Sequence, residues 1–367
     1  MITEAARTDL DDAIAAFAHD VVRPRSAAMA RDEGDAHELL RAAAAPGLAG
    51  LLIPERYGGA GAGHGAFARF IEAVARECSS SAVVLDVHGS VGSEPIVVFG
   101  SDDQCQELLP ELGSGRRLAA FALTEPASGS DAAALETRAT REGDDYILNG
   151  TKAFITNGGA ADLYTVMART GPGADGISAF IVDGPSPGLR GGEPLCKMGL
   201  RGSRTAELIL DNVRVPASRL LGDEGIGFRV AMAALDSGRI GISAQAVGVA
   251  QGALDAAVAH ARRAGRSSDD TALADMGAHV AVARALTAHA AATIDAGEPV
   301  THIAACAKLV ATDTCVAVAD TAVGLCAPDS GAEDHPAAIR FRDAKACQIY
   351  EGTNQIQRIV IARGLLR

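Results

Sequence analysis

The chain has 367 residues, with 33 Lys and Arg against 46 Asp and Glu, a net charge of −13 and a pI near 5.1. That length exceeds the usual single-domain range and predicts about two or three domains around a large core. With no run of Lys or Arg, the acidic balance argues against nucleic acid or an anionic membrane surface as the main partner.

The N-terminus, MITEAARTDLDDAIAAFAHD, is acidic and patterned as an amphipathic helix, not as an export signal. The longest apolar run, AAAAPGLAGLLI, contains Pro46 and two glycines and is too short to cross a bilayer. The seven cysteines (Cys78, Cys105, Cys196, Cys306, Cys315, Cys326 and Cys347) are scattered and form no C-x-x-C pair, which predicts reduced core thiols in a cytoplasmic protein. The histidines show no ligand spacing, so no metal site is expected.

Up to about residue 118 apolar residues recur at three- and four-residue spacing, in DDAIAAFAHDVV, HGAFARFIEAVAREC and DDQCQELLPEL. From 119 the texture changes to alternating, β-branched stretches (DDYILNG, LYTVMART, ISAFIVD, AELILDNVRV) separated by Gly, Pro and Asn-Gly turns. After LLGDEGIGF the helical period returns and runs to the end. The expected fold is mainly α with a central antiparallel β domain: helical over 1–118, β over 119–225 and helical over 226–367. Alanine-rich helices are marginal alone in water, so the two helical blocks are expected to pack on each other. Strands never alternate with helices, which disfavours a doubly wound parallel sheet.

Four stretches are candidates for chemistry. YGGAGAGHG fails as a dinucleotide fingerprint, because its glycines do not make G-x-G-x-x-G and Pro54 interrupts the preceding stretch. FALTEPASGSDAAAL offers the hydroxyls of Thr124, Ser128 and Ser130 and amides near Gly129, a turn suited to an anion or the polar edge of a heterocycle, or equally to a surface turn. KAFITNGGAADLY puts Phe154 and Thr156 two apart on one strand face before an Asn-Gly turn, a wall for a flat, polar-edged ring. QIYEGTNQIQR carries one acid, Glu351, just ahead of a helical segment.

Together with IPERYGGAG, KMGLRGSRTAEL, DNVRVP and GRIGISAQAVGVAQGALD, these stretches resemble the acyl-CoA dehydrogenase family over nearly the whole chain. The resemblance implies an N-terminal helical domain, a middle β domain and a C-terminal four-helix bundle, with FAD as cofactor and a homodimer or homotetramer as assembly. It implies Phe121, Leu123, Thr124 and Ser130 at the pyrimidine edge of the flavin, Phe154 and Thr156 beside its central ring, and Thr353 and Gln355 near its ADP half. Glu351 matches the catalytic base that removes an α-proton of an acyl thioester while the β-carbon gives hydride to the flavin, with Arg239, Tyr350 and Gly352 near the substrate. The position used for the base in some branches holds Gly238, which cannot serve. Burial should raise the Glu351 pKa and the following helix N-terminus should lower it.

Two family elements are altered. The stretch ARRAGRSSDDTALADM lacks the usual Phe and Gln, leaving Arg263 and Arg266 as stand-ins, and GLCAPDSG replaces Q-x-x-G-G-x-G, so the ADP half of FAD must be held differently. This divergence is similar to the acyl-carrier-protein-dependent branch that makes polyketide extender units such as hydroxymalonyl or methoxymalonyl precursors. Ser90, Ser93 and Glu94 in LDVHGSVGSEP suggest a short or polar acyl group. The carrier is CoA or acyl carrier protein, and an electron-transfer flavoprotein is a partner the resemblance allows. Competing readings are a flavin oxidase or monooxygenase on the same fold and a flavin-free thioester-binding scaffold.

Overall fold

The computed structural model describes residues 4–31, 34–265 and 271–366. Seven helices come first: α1 (Glu4–Ala16), α2 (Arg23–Ala30), α3 (Ala36–Ala44), α4 (Gly63–Glu77), α5 (Ser79–Val87), α6 (Glu94–Phe99) and α7 (Asp102–Gly113). Local chemistry sets several of their starts. Asp35 accepts from the His37 and Glu38 amides at the head of α3, and Ser101 with Gln104 makes a reciprocal capping box at the head of α7. A widened π-helical stretch, His88–Ser93, joins α5 to α6, so Ser79–Phe99 is one continuous rod.

The strands follow: β1 (Ala119–Ala122), β2 (Arg138–Glu142), β3 (Asp145–Thr156), β4 (Leu163–Arg169), β5 (Ile177–Asp183), β6 (Leu189–Gly191) and β7 (Thr205–Pro216). They make one sheet in the order β1-β4-β2-β3-β7-β6, with β5 also paired to β4. The expected antiparallel pattern holds for β2-β3, β3-β7, β4-β5 and β6-β7. It is corrected at one end, where β4 runs parallel to β1 and, through a single pair, to β2. Parallel neighbours need a long return path, and β1 and β4 are not consecutive strands, so no hairpin constrains them.

The chain then returns to helix: α8 (Gly227–Arg263), α9 (Thr271–Asp295), α10 (Thr301–Leu325), α11 (Pro336–Cys347) and α12 (Asn354–Leu365). As expected, the helical blocks share one core. A single apolar cluster runs from Ile14 and Phe70 through Val247 and Ala250 to Ala311 and Cys347. α8 crosses α4 closely enough that a Cβ on Gly248 would sit 2.3 Å from the Glu72 carbonyl oxygen. Two segments, Ser79–Phe99 and Thr301–Leu325, are long and apolar enough to cross a membrane by composition, but 78% and 50% of their apolar windows are buried in this core. Packing accounts for their apolarity.

The glycine-rich stretch before α4 is an interhelical connection. It docks the head of α4: the Asp295 carboxylate at the end of α9 takes the His64 and Gly65 amides at 2.7 and 2.9 Å. A Cβ at Gly63 would lie 2.8 Å from that carboxylate, and Gly63 sits at φ 78°, so both space and backbone demand glycine there.

Candidate active site

The base loop lies between α11 and α12. Glu351 and Gly352 are both left-handed, at φ 53° and 86°, and this sharp reversal turns the Glu351 side chain inward. A non-glycine residue in that region is strained and persists only where its surroundings hold it. Here the Gly352 carbonyl accepts from Lys308 Nζ and Gln357 Nε2, each at 2.9 Å, while Lys308 also donates to Asn354 Oδ1 at 2.9 Å. Thr353 caps α12 by accepting from the Ile356 amide, and the Tyr350 hydroxyl donates to Gln245 on α8.

The carboxyl of Glu351 lies against Gly238. A Cβ built there would fall 2.7 Å from Oε2 and 2.9 Å from Val91 Cγ1, so glycine at 238 is the condition for Glu351 to occupy this space. Glu351 as a residue is half-buried, yet its Oε2 is shielded from solvent and has no hydrogen-bond partner among the described residues. Burial raises the Glu351 pKa to about 7, against the opposing pull of Arg239 and Lys308. Of the two effects expected from sequence, burial therefore wins, and the opposition comes from two cations. No described residue accepts from the Glu351 N–H.

Around the carboxyl stands a small apolar cluster of Val83, Val87 and Val91 from the α5 rod, Leu200, and Ala234 on α8, with Phe121 and Tyr350 against it. Phe121 is thus at the join between the strand domain and this cluster.

The second wall is built by the turn after β1. Glu125 and Ser128 close it by exchanging backbone hydrogen bonds at 2.8 and 3.1 Å. The Glu125 carboxylate takes the Glu136 and Thr137 amides at 2.6 and 2.9 Å and Lys152 Nζ at 2.8 Å, and Lys152 also donates to the Leu123 carbonyl. Lys152 is fully buried on β3. Burial lowers its pKa to about 8 despite Glu125; for Glu125, burial pushes up, but Lys152 and the amides outweigh it and hold the carboxyl below its usual value. Both partners are charged at neutral pH, and together they bolt the turn to the strand that carries Phe154.

On β3 the register with β7 slips between Lys152 and Ile155, and Phe154 adopts φ 58°. The slip turns the Phe154 ring outward, 66% exposed, while Ile155 beside it is buried and Thr156 is half-buried. A bulky residue in this strained conformation with its ring uncovered gains little from packing within this chain, which keeps Phe154 a candidate wall for a ligand. Of the three hydroxyls in the turn, Ser128 is consumed by the Asp131 carbonyl, whereas Thr124 and Ser130 bond to no described residue. An uncovered aromatic plane and, in the turn bonded to the same strand through Ala153 and Thr124, two hydroxyls without partners among the described residues suit a flat ring with polar rims, the chemistry of a flavin.

The remaining candidates from the sequence land differently. Ser93 is buried and donates to the His88 carbonyl, and Ser90 donates to Asp86. Neither points into solvent. Glu94 does not face the apolar cluster as a free acid; it pairs with His64 at 2.9 Å. Burial depresses His64, but Asp295 and Glu94 overcome it and bring its pKa to about 9. Arg239 is buried and pairs with Asp236 at 2.6 Å, which leaves it as an electrostatic neighbour of Glu351. Arg263 ends α8 and, with Arg262, Arg201, Arg340 and Arg342, lines a cavity of about 940 Å³ that is separate from Glu351 and Phe154. Arg266 lies outside the described residues. Gln355 is exposed at the start of α12. Among the described residues no group of His, Cys, Asp and Glu could hold a metal.

Sequence reasoning missed Asp86, Lys152 and Lys308. Each was visible as a lone charge inside an apolar stretch: SAVVLDVHG, TKAFIT and CAKLVA.

Residues 4–116, 120–213 and 225–366 match the N-terminal, middle and C-terminal domains of acyl-CoA dehydrogenase. An acyl-CoA dehydrogenase of Bacillus subtilis (strain 168) is 44% identical over 360 residues, 95% of each chain. The structure of butyryl-CoA dehydrogenase from Megasphaera elsdenii superposes with a TM-score of 0.93 at 38% identity, covering 98% of each chain. That of the prolyl acyl carrier protein oxidase AnaB superposes with a TM-score of 0.93 at 28% identity, covering 99% of each.

Proposed function

Because the chain belongs to the acyl-CoA dehydrogenase family of FAD-dependent oxidoreductases, we propose that Glu351 is its base and that its substrate is a short acyl thioester. The observation that carries this is Glu351 Oε2: buried, without a hydrogen-bond partner among the described residues, and seated on Gly238. A carboxyl with a pKa of about 7 is poised to take a proton near neutral pH.

FAD, when bound, supplies the hydride acceptor for the β-carbon. Phe121, Leu123, Thr124, Ser130, Phe154 and Thr156 are the residues proposed to hold its ring system, and Thr353 and Gln355 its ADP half. Altered contacts there are proposed to include Arg263, which lines a cavity where arginines outnumber the acids Glu77, Asp255, Asp334 and Asp343.

The remaining steps belong to this chain. The apolar cluster around Val87 and Val91 excludes water from the acyl group and keeps Glu351 dry. The Glu351 N–H, which no described residue takes, is proposed to donate to the thioester oxygen, which acidifies the α-carbon. Oε2 of Glu351 then accepts the α-proton, and Arg239 and Lys308 restrain its basicity. Tyr350 and Gly352 hold the loop in position through Gln245, Lys308 and Gln357.

The carrier is proposed to be CoA or an acyl carrier protein, in a homodimer or homotetramer that passes electrons to an electron-transfer flavoprotein. The likeness to AnaB, a prolyl acyl carrier protein oxidase, supports the carrier-protein arm and favours an oxidase as the second reading; a role in making polyketide extender units is proposed from the sequence resemblance alone. Anaerobic mixing of the FAD-loaded protein with a panel of acyl-CoA and acyl-carrier-protein thioesters tests this: bleaching of the flavin absorbance by a short acyl thioester is expected. A colourless protein that takes up no FAD would refute both enzyme readings, and fast reoxidation by air would select the oxidase.

A further inference from the structure

The inner face of α8 carries two glycines about one turn apart, and each receives a carboxyl from another element. Gly238 receives Glu351. A Cβ on Gly241 would stand 1.8 Å from Asp86 Oδ1 and 2.7 Å from its Cγ, so Asp86, reaching across from α5, packs directly on the helix backbone there. Asp86 is fully buried. Its side-chain partner among the described residues is the Ser90 hydroxyl, which donates to the Asp86 carbonyl at 2.8 Å and approaches Oδ1 at 3.2 Å; Oδ2 has no partner among them.

Three residues of helix separate the two seats by about 4.5 Å along the axis. Asp86 is close enough to Glu351 for its charge to be felt, and close enough to Tyr350 to raise the pKa of that hydroxyl: burial first, and then Glu351, hold the Asp86 carboxyl well above the usual range. It shares α5 with Val83 and Val87 of the apolar cluster and lies between them in sequence. An unpaired buried carboxyl is costly, and an apolar residue on α5 would fill this space without that cost. The cost is offset if a ligand supplies the missing partner.

Resting on the reading of Glu351 as base, we propose that Asp86 is the specificity-determining residue of the acyl site, and that its free oxygen accepts from a hydroxyl or amino group carried on the acyl chain a few bonds beyond the α-carbon. The preferred substrate is then a short, donor-bearing acyl thioester and not a simple fatty acyl group. Ser90, donating to Asp86, orients that carboxyl.

The test uses FAD-loaded Glu351→Gln protein, in which binding is measured without turnover. Calorimetric titration with butyryl-, 4-hydroxybutyryl- and 4-aminobutyryl-CoA is expected to show one donor-bearing thioester binding about tenfold tighter than butyryl-CoA. Which of the two prevails identifies the donor. Adding Asp86→Ala is expected to bring the ratio to one or below, and Asp86→Asn, which keeps a carbonyl oxygen, to retain part of it. Butyryl-CoA binding as tightly as both analogues, or a ratio unmoved by Asp86→Ala, overturns the proposal and leaves Asp86 a hydrated core acid. The reading beneath it fails separately: wild-type flavin left unbleached by all three thioesters, with the binding preference intact, refutes the dehydrogenase but supports this site.

Discussion

Two glutamates with buried carboxyl oxygens divide this molecule's chemistry between them. Glu125 is met by two backbone amides and by Lys152, and its pKa is held down. Glu351 is met by no described residue at Oε2, and its pKa climbs to about 7. Burial is common to both, so burial does not separate a structural acid from the proposed base. The difference lies in satisfaction: the paired acid fixes the wall on which Phe154 stands, and the unpaired acid is free to exchange a proton.

The comparison breaks most visibly at Lys152. Lys152→Ala strands the Glu125 charge and is expected to cost about 3–5 kcal/mol of stability in urea unfolding. Adding Glu125→Gln should recover part of the loss, because the stranded charge is then gone. Gly238→Ala attacks the other acid without touching it. The new methyl displaces the Glu351 carboxyl, and flavin reduction is expected to slow by on the order of tenfold to a hundredfold with FAD still bound.

Protonation sharpens the contrast further. Reduction of wild-type flavin is expected to fall about tenfold per pH unit below a Glu351 pKa of about 7, measured by rapid mixing from about pH 5 to 9. The smallest effect is on stability. With its pKa raised from 4.5 to about 7 by folding, Glu351 destabilises the fold progressively as pH rises through that window. Glu351→Gln should therefore melt about 2 °C above wild type near pH 8, with the gap closing towards about pH 5.

Much of this was legible in sequence. Helical period, the change of texture at 119 and the return of helix after GDEGIGF mark the three blocks, because each element buries one face and must pattern accordingly. Glu351 stood out in sequence only through the family resemblance, which matches it to the base and finds Gly238 at the alternative position. Long-range pairing was not. Lys152 finds Glu125 across 27 residues, and Gly241 finds Asp86 across the helix interface, facts that no local pattern encodes. The register slip that turns Phe154 outward depends on how β3 meets β7, and the parallel β1-β4 contact on the path of the intervening chain. The role of Glu94 was hidden for the same reason: its partner, His64, stands at the head of α4, about thirty residues earlier in the chain.

The unsatisfied glutamate is proposed as the base. It is tested most directly by mixing FAD-loaded Glu351→Gln protein anaerobically with the thioester that bleaches wild type fastest. FAD is expected to remain bound and its absorbance to persist, with reduction slowed by about a hundredfold or more. Bleaching of the variant at the wild-type rate would contradict it.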